Sequence, residues 1–391
     1  MALSGVKVTS EANFTGRALL TIALILGVIG MQSQSLSRYL LHSHGWIVAR
    51  LLGSMKFDTL NNREDIDALV AGYYEQLGTQ ATGVVGLPTV IGKGEIQFRN
   101  DFLRFELKPN IHNTYKAGLR FTNSMGMANP EYSYAKPPHT RRIAILGDSI
   151  SLGPYGHDYV AALEDRLNHN CTGPDIQNYQ VLNFSVYAYS ILQFMDVGLN
   201  KASYFHPDVE VVAMTSLEFF PENGWAVHIA NLRTAGIDLK YDYLRQVVAQ
   251  AGIQPGSHFP AIRKKLEPYR LQVIRWALEQ IRDHDSAQGA KTIVILVPSP
   301  MNPGFTSDDF DRLHKAADPV GVPIIDMRDT FLSVNLESIM VDSHGDMHPN
   351  VAGYALIADS LFNKLQAQPD ALLALAGHPC QLSLSPSATG K

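Results

Sequence analysis

Cysteine is scarce. Of 391 residues only Cys171 and Cys380 carry a thiol. One of them sits in the tail, so both are expected unpaired, with pairing open to them only in an oxidising compartment. No C-x-x-C or H-E-x-x-H spacing occurs, and no structural zinc site is expected. Charged residues make up 18% of the chain, with a net charge of -5. No basic stripe with interleaved aromatics appears, which removes nucleic acid from the expected partners. Nor does any clearly apolar run reach the length of a membrane-spanning helix. Residues 18–31, ALLTIALILGVIGM, are an uncharged run of 14. As a helix it would be about 21 Å long, short of the ~30 Å hydrocarbon core.

That run, with Lys7 and Arg17 in front of it, suits the apolar core of a secretion signal, with Ser33-Gln34-Ser35 as a weak cleavage pattern. An uncleaved signal anchor is the alternative, and a buried soluble helix is the third reading. The two export readings place the remainder outside the cytoplasm, secreted or membrane-anchored through residues 18–31.

The hydrophobic fraction of 46% allows a sizeable core. Residues 1–35 are read as the signal peptide or anchor. Residues 36–140 form an N-terminal extension, with an amphipathic connecting segment over 36–61 and a capped helix over 62–77. Short alternating runs such as EIQFRNDFLRFEL over 80–135 predict a few β-strands. From Arg141 the texture changes. The apolar runs RRIAIL, VLNFSV, VEVVAM, KTIVILV and VPIIDM alternate with helical patterns up to NVAGYALIADSLFNKL. Continuous apolar strands between helices predict an α/β domain over 141–367, its parallel sheet covered on both faces. Residues 222–262 interrupt the rhythm and are expected to form an inserted loop or lid. A long helix follows, bent or restarted at Pro268. The tail, 368–391, is expected to be disordered beyond a short apolar stretch.

Ligands of such sheets gather at the carboxyl ends of the strands, and reactive side chains fall on two of those loops. Ser149 in Gly147-Asp148-Ser149-Ile150 follows a buried strand and a glycine that permits a sharp turn. Asp346 and His348, in Asp346-Met347-His348-Pro349-Asn350, lead into the last helix, 199 residues further on. A carboxylate two residues from an imidazole can hold its tautomer and raise its basicity. The imidazole can then take the proton of a serine, whose hydroxyl is a weak nucleophile unaided. Asp342 is a second candidate partner for His348. His157, His206, His228, His258 and His314 are scattered without ligand spacing. Asp326 and Asp329 lie near a strand end, where turn capping is their expected role. No G-x-S-x-G elbow is present.

Gly147-Asp148-Ser149-Ile150 resembles the signature of the GDSL, or SGNH, hydrolase superfamily. Asp346-x-His348-Pro349-Asn350-x-x-Gly353 resembles its last sequence block. The resemblance covers residues 141–367 and implies a flavodoxin-like three-layer α/β/α sandwich that acts on acyl esters of carbohydrates, lipids or small molecules without metal or organic cofactor. It implies Ser149 as nucleophile, His348 as base and Asp346 as orienting acid. The stretch with Asn110, Asn123-Ser124-Met125-Gly126 and the basic pair Arg141-Arg142 looks like the lead-in of exported bacterial members. For such members an envelope glycan or lipid is the expected partner.

Two positions depart from the family's pattern. The glycine whose backbone N–H helps to bind the oxyanion is replaced by Ala188. The donor asparagine of the third block is replaced by Leu217, in Thr215-Ser216-Leu217-Glu218. The expected oxyanion donors are therefore Ser149, Ala188 and Ser216, with Asn183 or Asn223 as alternatives to Ser216. Losing one donor costs about 2.7–4 kcal/mol of transition-state stabilisation unless another replaces it. Hydrolysis through an acyl-enzyme, transfer of the acyl group to a surface polysaccharide, and glycan binding on a degenerate site are the three readings the sequence leaves open.

Overall fold

The short alternating runs before residue 140 form two small antiparallel pairs. β1 (Ile96–Phe98) pairs with β2 (Phe105–Leu107), and β3 (His112–Tyr115) with β4 (Gly118–Phe121). The computed structural model describes residues 95–115, 118–219, 224–254, 256–257, 259–300, 307–342 and 348–382. The apolar run 18–31, the segment 36–61 and the helix expected over 62–77 lie outside the described residues. Among the described residues no helix is long and apolar enough to cross a membrane.

The apolar runs after residue 140 form a five-stranded sheet: β5 (Thr140–Gly147), β6 (Asn178–Asn183), β7 (Val209–Met214), β8 (Lys291–Leu296) and β9 (Ile324–Asp326). Every pairing is parallel, in the order β6-β5-β7-β8-β9. Counted from β5 the order is 2-1-3-4-5, the flavodoxin-like winding, with its switch point between β5 and β7. Strand pleating divides the apolar side chains between two cores. Ile143 and Ile145 of β5 enter one cluster, Ala144 and Leu146 the other, all four fully buried. Each isoleucine so buried contributes roughly 1.5–3 kcal/mol.

Helices cover both faces. In chain order they are α1 (Ser149–Leu152), α2 (Tyr159–Asn170), α3 (Ile191–Asn200), α4 (Trp225–Thr234), α5 (Asp242–Gln250), α6 (Phe259–Leu266), α7 (Arg270–Gln288), α8 (Ser307–Ala317), α9 (Val351–Ala367) and α10 (Pro369–Ala376). Helices α2, α9 and α10 pack with Ile143 and Ile145. Helices α3 to α8 lie in the cluster of Ala144 and Leu146, with Ile96, Phe105 and Leu107 from β1 and β2. The result is the three-layer α/β/α sandwich expected, and the extension shares one of its cores.

Two stretches differ from expectation, while the tail is helical over the short apolar stretch set apart from its expected disorder, and residues 383–391 lie outside the described residues. Residues 222–262 carry α4, α5 and the start of α6, which supply Trp225, Ile229, Leu244 and Val247 to the core, where a loop or lid was expected. The tail continues as α10, with Pro369 in its first turn and Gly377 ending it. Cys171 and Cys380, expected as free thiols, form a disulfide that fastens the segment after α10 to the end of α2. Pro268 acts as expected: it sits in a single 3-10 turn, Glu267–Tyr269, between α6 and α7. Of the basic pair, Arg141 donates to the carbonyls of Ala374 and Leu375 in α10. Arg142, fully buried, donates to the carbonyls of Ser133, Tyr134 and Phe205.

Candidate active site

Three loops meet at the carboxyl edge of the sheet, after β5, β6 and β7. The turn after β5 is tight because Gly147 has no side chain. A Cβ there would stand 2.6 Å from both Cβ and Oγ of Ser151 and 2.9 Å from Ser185 Oγ. Asp148 caps α1, accepting the backbone N–H of Ile150 at 2.9 Å. Its other oxygen accepts the Thr215 hydroxyl across the β5–β7 switch. Burial pushes the Asp148 carboxyl up to about 6, against these hydrogen bonds. Ser149 is thereby held as the first residue of α1, 7% exposed.

The second reactive loop is fixed at its neck. Met340 and Pro349 form an antiparallel bridge, Val341 N–H donates to His348 O at 2.9 Å, and Asn350 N–H to Ile339 O at 2.8 Å. The Asn350 side chain caps α9 by accepting Gly353 N–H at 3.1 Å, and its amide donates to Met340 O and Ser338 O. A Cβ on Gly353 would meet Ile339 O at 2.7 Å and Pro349 Cβ at 2.9 Å. Pro349, Asn350 and Gly353 are thus one packing unit that delivers His348. The result is a distance of 2.8 Å between His348 Nε2 and Ser149 Oγ, hydrogen-bond range for groups 199 residues apart. Asp346 lies outside the described residues. Asp342, half-buried, is at the neck of the same loop.

Ala188, on the loop after β6, adopts φ 54°, the left-handed region that glycine enters freely. This backbone costs an alanine roughly 1–2 kcal/mol. The alanine therefore takes up the kind of backbone a glycine would supply. On the loop after β7, Ser216 Oγ is buried and has no hydrogen-bond partner among the described residues, while Leu217 is buried with its N–H turned to Thr215 Oγ1 at 3.2 Å. Asn183 is committed elsewhere: its amide donates to Ser151 O at 2.8 Å and its carbonyl accepts Ser185 N–H at 3.0 Å. Asn223 lies outside the described residues.

Glu218 was not singled out in the sequence, though an acidic residue just past a strand end was a signal for it. Its buried carboxylate accepts the N–H groups of Ile191 and Trp225, the first residues of α3 and α4. One anion thus serves two helix N-termini beside the site. Burial nonetheless pushes it up to about 7. Two of the scattered histidines hold structural contacts. His228 is buried edge-on to Phe102, and burial pushes its imidazole down to about 3. His314 bridges Asp318 and Asp326, and Asp326 caps the turn at Arg328. Asp329 pairs with Lys364. His258 lies outside the described residues. Among the described residues no group of three or more His, Cys, Asp or Glu side chains could hold a metal ion.

No protein-family model matches the chain, and no curated protein matches it. Solved structures do. One is TesA, at 15% identity and a TM-score of 0.36, over 58% of this chain and 99% of that one. A catalytic mutant of an acetylxylan esterase from Geobacillus stearothermophilus matches at 13% identity and 0.38, over 57% and 94%. A G-D-S-L family lipolytic protein from Desulfitobacterium hafniense matches at 11% identity and 0.34, over 56% and 96%.

Proposed function

We propose that the chain is an ester hydrolase of the GDSL/SGNH kind, with Ser149 as nucleophile, His348 as base and Asp346 as orienting acid. The observation that carries the reading is the 2.8 Å contact between His348 Nε2 and Ser149 Oγ. With Nε2 turned to the serine, Nδ1 is the nitrogen a carboxylate would orient, and we assign that carboxylate to Asp346. The imidazole takes the Ser149 proton as Oγ attacks the acyl carbonyl. It returns that proton to the leaving alcohol, and water repeats the sequence on the acyl-enzyme. The developing oxyanion is met by the backbone N–H groups of Ser149 and Ala188 and by the Ser216 hydroxyl. The left-handed backbone at Ala188 and the unpartnered Ser216 Oγ favour a working oxyanion hole over a degenerate one.

The disulfide between Cys171 and Cys380 supports an extracytoplasmic setting, where such bonds persist. We propose an envelope glycan or lipid ester as the substrate class, with membrane association through residues 18–31. Ser149→Ala should abolish hydrolysis of p-nitrophenyl acetate by the full chain, and retained turnover in that variant would overturn the reading. Adding a glycan acceptor separates hydrolysis from transfer, by diverting acyl groups from free acid to acylated glycan.

A further inference from the structure

The loop that presents Ala188 is held on two sides: Phe184 and Val186 N–H donate to Ile145 O and Gly147 O of β5, and the side chains that follow reach the N-terminal extension. Tyr187 Oη donates to Glu95 Oε2 at 3.1 Å and accepts Arg120 Nε–H at 2.8 Å. Tyr189 Oη donates to Phe105 O at 2.6 Å. Just beyond, the Gln193 amide donates to Leu103 O at 3.0 Å, and its carbonyl accepts Ser190 N–H at 3.1 Å. The turn around the left-handed alanine is therefore tied to Glu95 just before β1, to β2, to β4 and to the loop between β1 and β2.

Arg120, on β4, does more than hold Tyr187. Its Nη1 donates to the carbonyls of Leu152 and Gly153, where α1 ends. Its guanidinium also lies 5.2 Å from the centroid of the Tyr187 ring. The hairpin follows: Leu119 O accepts Tyr155 N–H at 2.9 Å, and Phe121 packs on Tyr155 with ring centroids 4.6 Å apart. Helix α1 has four residues and begins at Ser149, so its far end cannot shift without moving the nucleophile. The planar fork of Arg120 spans the end of that helix and the side chain next to Ala188. A lysine could reach one of these acceptors but not hold both in fixed geometry.

The geometry points to Arg120 as a positioning residue that fixes Ser149 relative to the Ala188 N–H, a role supplied by the extension and outside the α/β domain. The inference rests on the proposed Ser149 mechanism. It accounts for an alanine at a backbone position suited to glycine: the clamp imposes the left-handed turn that glycine would adopt unaided.

The test is made on the full chain with p-nitrophenyl acetate and with a fluorophosphonate that phosphonylates Ser149. Arg120→Met should lower kcat about 10–100-fold with KM changed less than threefold, and Arg120→Lys should recover only part. Tyr187→Phe, which removes one hydroxyl and keeps the ring, should lower kcat in the same direction. The double variant should be no worse than Arg120→Met, since both break one link. Ala188→Gly placed in the Tyr187→Phe background should restore kcat, because glycine adopts the turn without the clamp. Wild-type kcat and phosphonylation rate in Arg120→Met and Tyr187→Phe would overturn the inference. So would losses that multiply in the double variant, or a Tyr187→Phe defect that Ala188→Gly leaves untouched. A wild-type chain whose Ser149 is not phosphonylated would instead overturn the mechanism beneath it.

Discussion

Replacing both Cys171 and Cys380 by serine should destabilise the protein strongly while leaving its chemistry in place. The two residues are 209 apart in sequence, so the crosslink removes a large loop-closure entropy from the unfolded chain. For a loop of that size the chain-entropy relation gives about 5 kcal/mol. A domain of this size loses roughly 2–4 °C of Tm per kcal/mol, so a fall of roughly 10–20 °C is expected. The native segment does not depend on the sulfurs alone. Tyr179 Oη lies 2.8 Å from both Cys171 O and Ala376 O, and a His378 ring nitrogen 2.6 Å from Cys171 O. The double serine variant should therefore still fold at about 20 °C and still react with a fluorophosphonate at Ser149. Thermal unfolding of protein made in an oxidising compartment, with and without reductant, is the assay. Unchanged Tm in the double variant would refute the reasoning, as would two alkylatable thiols in the unreduced wild type.

Gly147→Ala should abolish the proposed Ser149 chemistry, because its Cβ would stand 2.6 Å from Ser151 Cβ and force the turn that carries Ser149 to move. Overpacking of this kind costs about 1–3 kcal/mol, and a variant with wild-type kcat would refute the close-approach argument. Burial raises the pKa of Glu210 well above its ordinary value and pushes Asp285 up to about 7, as it does Glu218, with Asp148 and Asp158 pushed up to about 6. Raised acids make the native state bind more protons than the unfolded chain between about pH 4 and 7. Their stabilisation is thus complete below the unfolded pKa and lost as pH rises through the folded one, so Tm should fall from about pH 5 to about pH 8. Both Glu210 oxygens are buried without a hydrogen-bond partner among the described residues. Glu210→Gln should therefore raise stability by about 1–3 kcal/mol near pH 8 and by less near pH 5, and an equal loss at both pH values in thermal unfolding would contradict this.

The strands were legible because a parallel sheet buried on both faces needs continuous apolar runs, and IAIL in β5 and VVAM in β7 are such runs. Ser149 and His348 were legible because their surroundings are locally encoded: a glycine that must be small, a cap at Asn350, a second tight glycine at Gly353. What escaped was set at long range or concealed by burial. The first eight residues of α4, Trp225 to Leu232, are all buried, so no polar face marks its period. Helix α8 did carry a signal, acidic residues in its first turn and then Phe310, Leu313 and Ala317 on one face. So did α10, with proline at its start and Gly377 at its end. The disulfide and the Arg120 clamp join residues far apart in sequence, and no local pattern marks either. Ala188 looked like a loss at a glycine position because a dihedral imposed by neighbouring side chains cannot be read from the residue itself.

The most direct test of the central claim is fluorophosphonate labelling of the full chain, read by intact mass and peptide mapping. One adduct per chain is expected, on the peptide containing Ser149, absent from Ser149→Ala and much slower to form in His348→Ala. An adduct that persists in Ser149→Ala, or a folded wild type that takes up no label, would contradict it.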